Sequence, residues 1–320
     1  MKLLFITATR IGDAVLSSGV LDALIARHPG ARVTVACGPA PAPLFAALPG
    51  LVRLLVLEKR PLAAHWLALW LAVAPTHWDL LVDLRDSAVS RLVRARARRI
   101  LRARANGVHQ VERLADAVGL ETPPAPRLWL APGHRRAAAE LLGAGAPVLA
   151  LGPTANWRGK LWPAERFVEL GRRLTAAGGL IPGARIAVLG APAECVLAQP
   201  VVDGLARERV IDLVGRVDLP TAGAVLERCD LFIGNDSGLM HIAAAAGIAT
   251  LGLFGPSRDE HYAPWGAACA AVRTPESFDE LIGTPGYDHR TTESLMGSLG
   301  VEAVEAAAGR LWQRRRAAAS

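Results

Sequence analysis

The chain has 320 residues, 52% of them hydrophobic, enough for two domains of ordinary size with sizeable cores. Its four cysteines (Cys37, Cys195, Cys229, Cys269) are scattered without Cys-x-x-Cys spacing, which argues against a disulfide framework or a zinc site and fits a reducing compartment. The net charge of +7 is lopsided: residues 1–145 hold 19 Lys and Arg against 10 Asp and Glu, and residues 146–320 hold 17 against 19.

The start, residues 1–15, has Lys2 and an apolar run and resembles a leader. Arg10 and Asp13 interrupt it early and no small-residue cleavage site follows, so it reads as a buried strand. Residues 7–13, Thr-Ala-Thr-Arg-Ile-Gly-Asp, form a polar break before a helix over 15–27. Asp13 stands where a cap would stand, and Gly12 permits an unusual backbone angle. The functional alternative is a carboxylate at the mouth of an inter-domain cleft, able to take a proton from a hydroxyl nucleophile. A Gly-x-Gly-x-x-Gly fingerprint is absent here, which counts against a dinucleotide enzyme.

Further apolar runs lie at 33–36, 54–57 and 80–82. The apolar stretch 62–73 is far shorter than the ~20 residues of a membrane span, and His65 breaks it. Eight arginines fall between Arg85 and Arg104 against one acid, Asp86. Such a run is commonly a solvated helix face; it can also contact nucleic acid, anionic lipid or a phosphorylated sugar. No aromatic residues interleave with it, which weakens the nucleic-acid reading.

A Gly/Pro-rich break at 143–147 marks the expected domain boundary. Six more apolar runs follow at 148–151, 186–189, 210–213, 231–233, 250–254 and 268–272, with helical stretches between them, including 164–177 and 221–228. Strands alternating with helices imply parallel sheets with right-handed crossovers, and two such series imply two doubly wound α/β domains. Residues 301–316 read as an amphipathic helix with a basic end.

Three loops of the second series can carry chemistry. Residues 152–163 (Gly-Pro-Thr-Ala-Asn-Trp-Arg-Gly-Lys-Leu-Trp-Pro) follow its first strand and contain Lys160, one of only three lysines in the chain. A compact ammonium there suits a diphosphate; the plainer reading is a surface loop over a packed Trp162. Glu194 ends a second loop, where a carboxylate can accept from ribose hydroxyls. Residues 235–241, Asn-Asp-Ser-Gly-Leu-Met-His, follow a strand and open an apolar helix. Asp236 and Ser237 can cap that helix, and Gly238 lets backbone approach a ligand. Open parallel sheets bind ligands at such loops, and helix N–H groups favour an anion. His241 either turns back toward the loop or is a buried structural group.

Taken together, these segments resemble the heptosyltransferases of lipopolysaccharide synthesis, glycosyltransferase family 9. The resemblance runs along most of the chain: Arg-Ile-Gly-Asp ending at Asp13, Trp-Asp-Leu-Leu-Val-Asp-Leu-Arg at 78–85, His-Gln-Val-Glu-Arg at 109–113, Lys-Leu-Trp-Pro at 160–163, the 235–241 motif, and Gly-Pro-Ser at 255–257. It implies the GT-B architecture, two Rossmann-like domains facing a cleft: an acceptor domain (1–145), a nucleotide-sugar domain (146–300) and a final helix (301–320) packing back on the first. It also implies inverting transfer of heptose from ADP-heptose to the lipid A–Kdo core, with no cofactor.

On this sequence the resemblance makes Asp13 the general base and Lys160 the diphosphate clamp. Asp236, Ser237 and Gly238 become the phosphate loop, supported by His241. Glu194 is placed toward the ribose, and Val217 near the adenine. The loop before Lys160 departs from the family pattern, which often has hydroxyl residues there; Asn156 remains as a donor-binding group. Lys59, Arg60 and Arg85 are expected to face the anionic acceptor. The acceptor is membrane-held, so the expected location is the cytoplasm, with Trp66, Trp70 and the Leu-rich stretch against the inner membrane or, equally, in the core. No Asp-x-Asp pair stands where a bridging metal would want one, so transfer is expected to need no metal. The nearest rival is the same family with another donor or acceptor. A GT-B nucleotide-sugar epimerase and an arginine-driven nucleic-acid binder are further rivals.

Overall fold

The computed structural model describes residues 1–102, 107–283, 287–288 and 292–319. Arg104, the last arginine of the basic run, lies outside them. The chain divides into two compact units, Met1–Ala131 and Pro132–Ser320.

The first unit runs β1 (Lys2–Ile6), α1 (Ile11–Arg27), β2 (Arg32–Cys37), β3 (Leu51–Val56), α2 (Ala64–Val73), β4 (Trp78–Asp83), α3 (Val89–Leu92), β5 (Ala95–Ile100) and α4 (Gln110–Val118). Its five strands are parallel in the order β3-β2-β1-β4-β5. β1 is central and buried from Leu3 to Ile6, which is why it reads as a continuous apolar run. The fifth strand is the one element of this sheet that the apolar pattern misses. Its sequence, Ala-Arg-Ala-Arg-Arg-Ile, alternates with period two but carries alanine where a strand would carry valine. Three of the eight arginines, Arg96, Arg98 and Arg99, therefore lie on an edge strand and not on a helix face. Arg98 fastens it to α3 by donating to the Ser90 and Val93 carbonyls.

The second unit opens with α5 (Pro132–Leu142), which packs on a later helix, α8. It continues β6 (Val148–Gly152), α6 (Ala164–Thr175), β7 (Arg185–Val188), α7 (Cys195–Gly204), β8 (Val210–Asp212), α8 (Leu219–Leu226), β9 (Leu231–Asn235), α9 (Gly238–Ala245), β10 (Ala249–Phe254), α10 (Asp259–Tyr262), β11 (Cys269–Arg273), α11 (Phe278–Ile282) and α12 (Val301–Ala319). Its six parallel strands lie in the order β11-β10-β9-β6-β7-β8. Both sheets have a central reversal of strand order, between β1 and β4 in the first and between β6 and β9 in the second. Ligands of open α/β sheets bind beyond the carboxyl ends of the strands at that point.

The break between the compact units differs from the expected one. The division falls before α5, because that helix packs within the second unit; the Gly/Pro break at 143–147 only joins it to β6. Val301, Val304, Ala308 and Leu311 form a buried stripe at helical spacing that joins the second core, with α12 against β10, β11 and α6.

Candidate functional site

In the second unit, β6 and β9 lie side by side with Gly152 opposite Gly234. A Cβ on Gly152 would sit 2.7 Å from the Phe232 ring, so the pair reaches its two loops without side chains. Asn235, fully buried at the end of β9, ties the loops together. Its Oδ1 accepts from Trp162 N at 3.1 Å and its Nδ2 donates to Pro153 O at 2.8 Å. Trp162 in turn donates from Nε1 to Leu299 O, and Leu295 N donates to Gly159 O. The segment carrying Lys160 is thus braced on both sides.

Lys160 Nζ donates to Asp236 Oδ2 at 2.5 Å, with side-chain exposures of 18% and 8%. The ammonium stands at the start of α9 with one carboxylate partner. Asp236 is therefore engaged by lysine and does not cap the helix. Ser237 occupies the N-cap position, yet its side chain does not cap α9. The Ser237 hydroxyl is buried with no partner among the described residues. An N-terminus without a side-chain cap, beside a buried lysine, is a place where an anion would complete the hydrogen bonding. His241 is buried within the same helix.

Glu194 closes the next loop. Its Oε2 accepts from Thr154 Oγ1 at 2.7 Å and from Ala191 N at 2.8 Å, which joins the loop after β7 to the loop after β6. Asn156 is exposed in the β6 loop, and Val217 is half-buried just before Asp218, which caps α8. Thr154 and Asn235 are the residues that sequence reading missed. Asn235 stood inside the quoted motif, but only its two contacts, to residues about 80 positions away, reveal its task.

In the first unit, the loops after β1 and β4 enclose a cavity of about 300 Å³ lined by Thr9, Arg10, Asp13, Arg85 and Gln110, among others. The helix begins at Ile11, four residues before its expected start, so Asp13 belongs to its first turn and Gly12 is helical. Asp13 is half-buried and stands where the partial positive charge of the helix end favours a carboxylate. Asp83, fully buried at the end of β4, accepts from Arg85 N and Ser87 N at 2.8 Å each and from Ser87 Oγ at 2.6 Å. It shapes the turn that delivers Arg85 to the cavity. Lys59 and Arg60 are exposed and do not line that cavity; Arg60 lines another, between β3 and α2.

Two Rossmann-type units in one chain, with an anion-ready loop pair at the switch point of the second, define a glycosyltransferase fold of the GT-B class. Comparison with known proteins agrees. The sequence profile of glycosyltransferase family 9 (heptosyltransferase) matches residues 81–280. The chain belongs to that family. Lipooligosaccharide heptosyltransferase 2 of Haemophilus influenzae is 28% identical over 140 residues, 42% of this chain and 38% of its own length. The matched stretch therefore spans about two fifths of that curated relative. Two solved structures share the fold from end to end. The family 9 glycosyltransferase from Veillonella parvula has a TM-score of 0.79 at 20% identity, covering 98% of this chain and 97% of that one. ADP-heptose LPS heptosyltransferase II of Escherichia coli has a TM-score of 0.77 at 19% identity, covering 99% and 100%.

Proposed function

We propose that this chain is an inverting glycosyltransferase that moves heptose from ADP-heptose to the inner core of lipopolysaccharide. The observation that carries the reading is the pairing of Lys160 with Asp236 beside the start of α9, at the switch point of the second sheet. A nucleoside diphosphate satisfies that arrangement. Its phosphate oxygens take the α9 N–H groups, the Ser237 hydroxyl and the Lys160 ammonium. The ribose meets Glu194 through Oε1, since Oε2 already holds Thr154 and Ala191 N. Asn156 adds a donor in the β6 loop, and Val217 lies toward the base. The donor sugar follows from the family and from the relatives named above.

The Asp13 carboxylate takes the proton of an acceptor hydroxyl, and that oxygen attacks C1 of the heptose on the face opposite the diphosphate. The bond from C1 to the diphosphate oxygen breaks with inversion, and ADP leaves with its charge met by Lys160 and the helix end. Arg85 and Arg10 suit an acceptor that carries carboxylates and phosphates, and Lys59 and Arg60 extend the basic surface toward it. Such an acceptor is held in the inner membrane, and an enzyme that draws on ADP-heptose would meet it at the cytoplasmic face.

A thermal-shift screen of nucleotide sugars tests the donor. ADP-heptose at about 100 times its Kd stabilises by about 2.7 kcal/mol, and UDP-sugars give no shift. A shift with a UDP-sugar and none with ADP-heptose assigns the chain a different donor.

A further inference from the structure

Helix α2 is apolar almost all round: in Ala-His-Trp-Leu-Ala-Leu-Trp-Leu-Ala-Val only His65 is polar. A helix of that composition is ordinarily enclosed. Here Leu69 and Val73 reach the core, with Trp66 and Trp70 packed beside them. The opposite face, Ala64, Leu67, Ala68 and Leu71, is open, with Leu67 58% and Leu71 60% exposed. The chain enters the helix through Leu62 and Ala63, both in the left-handed region (φ 50° and 56°), a conformation that side-chain-bearing residues resist. This entry leaves Leu62 fully exposed. Backbone strain that presents an apolar side chain to solvent is a feature of contact surfaces more than of cores.

The surroundings select the partner. From Lys59 to His77 the sequence has no Asp or Glu, and the exposed Lys59 and Arg60 stand directly before Leu62. An apolar helix face with basic residues at its edge matches an anionic lipid surface, which takes leucines into the acyl boundary and lysine or arginine among its headgroups. The helix also adjoins the cavity of the first unit. Arg85, which lines that cavity beside Asp13, places its guanidinium 5.8 Å from the centroid of the Trp66 ring. A lipid-seated α2 would bring that cavity next to a membrane-held acceptor.

We propose that Leu62, Leu67 and Leu71, with Lys59 and Arg60, form the face by which this chain docks on anionic phospholipid bilayers. The assignment deepens the proposed function and rests on its membrane-held acceptor.

The test is flotation of the full chain with vesicles of phosphatidylglycerol and phosphatidylcholine, against vesicles of phosphatidylcholine alone. Binding is expected on the anionic vesicles, weakened by salt, and near background on the neutral ones. The double variant Leu67→Asp/Leu71→Asp should lower vesicle partition by at least about tenfold, since each leucine removes apolar area from water. Lys59→Glu/Arg60→Glu should lower it at least about fivefold, by the attraction of basic residues near an anionic surface. Both leucines are exposed, so the Leu variant should melt like the parent and bind ADP equally. Vesicle binding that both double variants retain overturns the assignment, as does absence of binding by the parent chain. A parent that is dimeric by light scattering, and monomeric as Leu67→Asp/Leu71→Asp, overturns it in favour of a second copy as occupant. Vesicle binding without any shift by ADP-heptose keeps the lipid face and refutes the donor reading, so the two failures are distinguishable.

Discussion

Lys160 and Asp236 come from loops 76 positions apart and meet at 2.5 Å, where β6 and β9 deliver them side by side. The pair is mostly shielded from water, so each charge depends on the other or on a ligand. In the proposed donor site, a diphosphate would find an ammonium already held by Asp236 beside the helix start. Removing that ammonium by Lys160→Ala should weaken ADP binding by about 1.5–3 kcal/mol, the range for charge-assisted hydrogen bonds. It also leaves Asp236 buried without its partner, at a stability cost of up to about 3–5 kcal/mol. Calorimetric titration with ADP, run below the melting point of the variant, reads the first effect. An unchanged affinity removes Lys160 from the phosphate site.

Asn235 should matter to folding and to donor binding together. Asn235→Ala strands the Trp162 N–H and the Pro153 carbonyl in the interior, at about 1–3 kcal/mol for each unsatisfied group. The Lys160 loop then loses its tie to β9. Denaturant unfolding should show the loss of stability, and ADP affinity should fall although Asn235 carries no charge. Parent-like stability would mean the two hydrogen bonds are replaced by water.

Asp13 is expected to act on the acceptor alone. Asp13→Asn should lower kcat by about 10²–10⁴-fold, the usual contribution of a general base, and leave ADP affinity unchanged. Single-turnover transfer measured alongside ADP titration separates the two. Turnover close to the parent would dismiss Asp13 as the base.

Transfer should proceed fully in EDTA. On the proposed reading, the charge on departing ADP is met by Lys160 and by the α9 N-terminus, both held by the fold before substrate arrives. Strict dependence on an added divalent cation would show that these two do not suffice.

The thiols should sort by burial. Burial pushes Cys37, Cys229 and Cys269 up to about 12 from an ordinary value of 9.0, which keeps them protonated and unreactive near pH 8. Cys195 is exposed. A disulfide reagent should therefore label one thiol quickly in the native protein, and Cys195→Ser should abolish that phase. The sign for stability follows from the raised values. The contribution from keeping the three thiols neutral is complete below about pH 9 and is lost as the pH climbs toward 12. Chemical unfolding at pH 8 and pH 10 checks the direction.

Ten of the eleven strands among the described residues can be read from the chain because each coincides with a largely apolar run, and the central ones, such as Leu3–Ile6 and Leu231–Ile233, are apolar throughout because both their faces are covered. The segments that carry Asp13, Lys160, Glu194 and Asp236 are legible for the same reason, since each follows such a run. β5 escapes because an exposed edge strand need not be apolar, and Ala-Arg alternation looks like a charged helix. The unit boundary escapes because a Gly/Pro break marks a turn, whereas a boundary depends on which elements pack together, here α5 on α8. Tertiary structure alone decides the rest. Strand order places the β6 and β9 loops side by side and pairs Lys160 with Asp236. It puts Asn235 between Pro153 and Trp162. Each of these depends on a hydrogen bond whose range is a few ångströms in space. Those between β6 and β9 join residues far apart in the chain, a separation that local sequence pattern does not encode.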